Sequence, residues 1–80
     1  MIITPKDKEK KRQFVDGLRE LLRTDERSEL SELKYEVTET DDSYEEAVKI
    51  YFAGGGFKRI NVTGDSLYAI LLDVAKAVYV

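Results

Sequence analysis

Two stretches hold residue types that could do chemistry. Asp41, Asp42, Glu45 and Glu46 crowd the segment from Thr40 to Glu46, and Asn61-Val62-Thr63-Gly64-Asp65-Ser66 stands directly before an apolar run. Carboxylates this close can bind calcium or magnesium, but the run lacks the alternating oxygen ligands and central glycine of a calcium loop, so it reads as a solvated turn. The chain has no cysteine and no histidine. Thiolate metal sites, disulfides, the usual neutral-pH general base and the commonest transition-metal ligand are therefore all excluded. Asp65 as a catalytic base needs a partner that its neighbours do not supply. Asn61-Val62-Thr63 matches a glycosylation sequon, which has meaning only in a secreted chain. Gly54-Gly55-Gly56 invites a phosphate-loop reading, but a phosphate cradle leads from strand into helix, whereas these glycines lead into Phe57-Lys58-Arg59 and a further strand. The expectation is a chain with no catalytic site, no metal and no cofactor.

The elements around these residues follow from periodicity. Thr4 as cap, Pro5 in the first helical position and Asp7 in the first turn start a helix. Phe14, Leu18, Leu21 and Leu22 give it one apolar face as far as Arg23, and Gly17 costs it roughly 1 kcal/mol relative to alanine. The segment Thr24 to Leu33 reads either as a short second helical turn or as a continuation of that helix. Leu33, Tyr35 and Val37 alternate with Lys34, Glu36 and Thr38 as a half-buried strand. Val48, Ile50 and Phe52 do the same in a second strand, and Ile60 and Val62 in a third. A four-residue loop between the last two strands would mismatch their apolar sets. A three-residue glycine loop pairs Ala53 with Phe57, Ile50 with Ile60 and Val48 with Val62. Leu67, Ile70, Leu71, Val74 and Val78 then form the apolar stripe of a closing helix, with Gly64 as the turn and Asp65 and Ser66 as its caps. Every polar residue before the closing helix thus has a structural use. The 80 residues make one α+β domain: a two-layer αβββα sandwich, a three-stranded antiparallel meander with both helices on one face.

The net charge of −3 conceals an uneven distribution. Seven bases face four acids from Met1 to Arg23, two face ten from Thr24 to Glu46, and four face two thereafter. The middle is an acidic band, read either as solvated connections or as a docking surface for a basic partner such as the basic end of another copy. No apolar run approaches a bilayer span, and the N-terminus lacks the order of a secretory signal, so the chain reads as a cytoplasmic domain without a membrane partner.

The order of elements resembles the double-stranded-RNA-binding domain. That family carries a lysine cluster at the start of its last helix, where this chain has Asp65-Ser66-Leu67-Tyr68-Ala69, so the resemblance implies the topology and not RNA binding. The segment "FKRINVTGDSLYAILLDVAKAV" resembles the C-terminal halves of small uncharacterised proteins of bacterial prophages and conjugative elements, a likeness that covers about the last third of the chain and implies no activity.

Two surfaces remain as working candidates. On the closing helix Tyr68, Leu72, Ala75 and Tyr79 form a second apolar stripe beside the core one, leaving Asp73 and Lys76 as its only charges. The first helix can cover that stripe through Phe14, Leu18 and Leu22, or a second copy of the chain can, which makes the domain a protein-interaction module that self-associates. On the open face of the sheet stand Lys34, Lys49, Tyr51, Phe57, Arg59 and Asn61, a set able to stack nucleobases and meet phosphates, with Glu36 set against it.

Overall fold

A computed structural model of the chain describes residues 5–79, with side chains from Asp7 onward. The elements run α1 (Pro5–Arg23), β1 (Leu30–Glu39), β2 (Tyr44–Phe52), β3 (Phe57–Asn61) and α2 (Leu67–Tyr79), and the strands form an antiparallel meander in the order β1-β2-β3. Pro5 opens α1 as its fixed φ allows; the expected cap Thr4 lies outside the described residues. Val15, Leu18 and Leu22 of α1 and Ile70, Val74 and Val78 of α2 bury against Leu33, Tyr35, Val48, Ile50 and Val62, so both helices cover the same sheet face.

The connection after α1 is one 3-10 turn, Glu26–Ser28, and not a continued helix. The Asp25 carboxylate accepts the Arg27 N–H at 3.0 Å, and the buried Ser28 hydroxyl sits 2.8 Å from both the Leu22 and Asp25 carbonyls, satisfying groups that the end of α1 leaves open. Glu29 then takes a left-handed φ of 51° and turns the chain into β1. This strand begins at Leu30, three residues before the alternating pattern does. A bulge between Leu30 and Glu32 is the cause: it lets Leu30 and Leu33 both face the core although they are three apart.

The hairpin between β2 and β3 corrects the expected register. Tyr51 pairs with Phe57, Ile50 with Lys58 and Val48 with Ile60. The loop is Ala53-Gly54-Gly55, closed by the Phe52 N–H on the Gly56 carbonyl at 2.9 Å, and Gly55 holds the positive φ of 94° at the third loop position. A three-residue loop was expected, but one position later in the chain. Alternation fixes only which face a residue occupies, and registers two apart satisfy it equally; with three consecutive glycines, one stands at the left-handed loop position in either register, Gly55 here and Gly56 in the expected one. The two-residue shift leaves the faces as expected, so Lys58 shares the helix side with Ile60 and pairs with Ile50, and its ammonium donates to the Ala77 carbonyl at 2.7 Å near the end of α2.

Candidate interaction surface

On α1 the inward line is Val15, Leu18 and Leu22, with Phe14 half-buried beside it; Leu21, expected in the core, points out. It lies about 100° around the helix from Leu22, on the flank facing α2. Along α2 the exposed band is Tyr68, Leu72 and Tyr79. Leu21 is 65% exposed, Tyr68 69%, Leu72 46% and Tyr79 45%. The first helix therefore does not cover the second stripe of α2. The reason is placement: α1 packs on β1 and α2 beside β3, two strand positions away. At about 4.8 Å per strand that sets the axes near an ordinary packing distance, so α1 meets only the near flank of α2. Tyr68, Leu72 and Tyr79 lie about 140° around α2 from its buried Ile70, Val74 and Val78 line. Between the facing flanks runs an apolar groove of about 320 Å³, lined by Gln13, Phe14, Gly17, Leu18, Leu21 and Leu71. Tyr68, Leu72 and Tyr79 continue from it around α2, and the Tyr79 hydroxyl donates to Asp25 at 2.8 Å, pinning the end of the stripe to the 3-10 turn.

The opposite, open face of the sheet collects the other expected set. Register places Lys34, Lys49 and Arg59 in one row across the three strands, with Tyr51 and Phe57 next to it at a ring-centroid distance of 5.1 Å and Asn61 toward the far end. Carboxylates of the same face hold two of the three cations: Lys49 meets Glu36 at 3.2 Å, and Arg59 bridges Glu36 and Glu45. Asn61 accepts the Thr63 N–H at 2.9 Å, ordering the turn that leaves β3.

The two acidic stretches meet on the helix side, under α1 and the start of α2. Glu46, expected in a solvated turn, is 1% exposed. Its carboxylate accepts from Tyr35 at 2.5 Å, from Lys11 at 2.7 Å and from the Gly64 N–H at 3.0 Å. Burial alone would raise this carboxyl, but Lys11, Tyr35 and Gly64 together hold it below the ordinary range, while burial and the Glu46 charge push the Tyr35 hydroxyl up and keep it protonated. Ser66 alone caps α2, its hydroxyl accepting the Ala69 N–H at 3.1 Å. Asp65, expected to share that task, turns inward instead: Oδ2 is shut off from solvent, and hydrogen bonding to Asp73, with burial second, pushes its carboxyl up to about 6. Two carboxylates hold no proton to share, so a proton on Asp65 supplies the missing donor. Among the described residues no group of three or more acids is placed to hold a metal ion, and no helix is long and apolar enough to cross a membrane.

Sequence alone gave no warning of Leu21, which fits the helical period of the core as well as Val15 does; for Glu46 a signal was available, its place in the alternation beside Val48 and Ile50. No protein-family model, curated protein or solved structure matches this chain.

Proposed function

We propose that the chain is a non-catalytic, cytoplasmic protein-interaction domain that self-associates through its helix layer. The observation that carries this reading is the joint exposure of Leu21, which lines the apolar groove, and of Tyr68, Leu72 and Tyr79 on α2, whose Leu71 forms the groove's other wall. The four side chains leave roughly 400 Å² of largely apolar surface in water on each copy, the size of patch that is often functional on a small protein. Two copies face to face bury about twice that from these residues alone. A stable interface needs roughly 1,200–2,000 Å², so the helix surface beside these residues has to supply the remainder. A second copy is the partner that fits, because the face carries both projecting side chains and the groove to receive them, as a two-fold contact requires.

Sedimentation of the parent and of Leu72→Glu tests this. The parent is expected to run as a dimer and the variant as a folded monomer, because Leu72 touches solvent and not the core. A parent that stays monomeric at high concentration, or a variant that unfolds, overturns the reading. Nucleic-acid binding by the open sheet face is the second reading, supported by the Lys34, Lys49 and Arg59 row beside the Tyr51 and Phe57 rings. Glu36 and Glu45 weigh against it by neutralising that row from within.

A further inference from the structure

Gly17 sits in the middle of a 19-residue helix, where glycine is a poor choice. Its backbone is ordinary helix, with no positive φ, and a Cβ built on it meets nothing within 4 Å. Nothing within the fold therefore calls for glycine here. It does line the apolar groove between the helices, next to Phe14 and Leu21.

We infer that Gly17 is the crossing point of the self-association contact, where α1 of a second copy closes on the groove and the missing side chain lets the two helices approach at the short end of the usual 8–10 Å. This rests on the self-association reading above and adds where and how the copies meet. Charge along the same flank supports an antiparallel arrangement. Lys10 stands toward one end and Glu20 toward the other, both exposed. Among the described residues Glu20 touches Arg19 and Arg23 at the surface, contacts it can share. The two are about 15 Å apart along the helix. A two-fold copy that sets each Lys10 against the partner's Glu20 puts the axis near position 15. Gly17 then lies within about 3 Å of the axis along the helix, and a side chain on it would stand between the backbones.

Gly17→Ala in the full chain tests this by separating the two roles. Alanine is the better helix former, and the space above Gly17 within one copy is open, so the variant's melting temperature at concentrations too low for dimers is expected to rise. Its dimer dissociation constant, from sedimentation equilibrium, is expected to rise by about tenfold or more, because the helices can no longer close. A variant that dimerises as tightly as the parent overturns the crossing point and leaves the dimer standing. A variant whose monomer melts lower overturns it too, since glycine would then serve the fold. A parent that remains monomeric overturns both the crossing point and the reading beneath it.

Discussion

At the scale of single residues the largest departure from expectation is the fate of the carboxylates. Glu46 leaves the solvent and half-buried Asp65 turns one oxygen out of it, and their surroundings act on them in opposite directions. Glu46 keeps its charge because one ammonium, one hydroxyl and one backbone N–H converge on it. The stability it contributes is present above the ordinary carboxylate range and is lost as pH falls through its lowered value. Asp65 has an ordinary value of 3.8 and is raised to about 6 in the fold. The native state therefore binds the extra proton between those values, so stability falls as pH rises from about 4 to about 6, and the loss is complete above that. Asp65→Asn removes the charge and keeps a donor for Asp73. The variant is expected to melt above the parent at about pH 7.5, with the gain shrinking as pH falls through 6 toward about 4.5. An equal gain at both pH values, read from thermal melts, would show that charge is not the cause.

At the scale of elements, the start of α2 is held by Ser66 alone. Its hydroxyl accepts the Ala69 N–H and its carbonyl the Ile70 N–H, the two bonds of a helix cap. Ser66→Ala is expected to cost about 1 kcal/mol in denaturant unfolding, and a midpoint equal to the parent's would remove the cap assignment. This division of labour shows what sequence could and could not supply. That a cap stands between Gly64 and Leu67 was legible, because such residues precede an apolar run for a local reason. Which of the two adjacent polar residues does it was not, because Asp65 answers to Asp73 and the buried cluster near Glu46, contacts remote in sequence. The same holds for the hairpin: alternation told the faces of Lys49, Tyr51, Arg59 and Asn61, but three consecutive glycines supply a left-handed position in either of two registers, so the register itself was not legible. In α1 the period was legible, but the choice between Leu21 and Val15 as the buried residue depends on where α2 lies.

At the scale of the whole molecule, the uneven charge is largely consumed within the fold. Lys8 meets Glu39, Lys11 meets Glu46, Arg19 meets Glu32, and Arg59 meets Glu36 and Glu45, so basic ends close on the acidic middle of the same chain. The exposed ones among these pairs contribute little to stability individually, but they tie the basic ends to the acidic middle within one copy. The helix flank, by contrast, offers apolar area. The two readings of function then part on salt. Association through Leu21, Tyr68 and Leu72 is driven by removing apolar surface from water, which sodium chloride hardly changes and sulfate strengthens. Nucleic acid bound by Lys34, Lys49 and Arg59 would release counterions and weaken steeply with salt. Sedimentation equilibrium between about 50 and about 500 mM sodium chloride is expected to raise the dimer dissociation constant by no more than the few-fold that screening of two exposed Lys10–Glu20 pairs allows, while single- and double-stranded oligonucleotides show no binding even at the lower salt. A dimer that falls apart as salt rises would move the contact to the charged surfaces, and an oligonucleotide complex with a steep salt slope would make the open sheet face the working one.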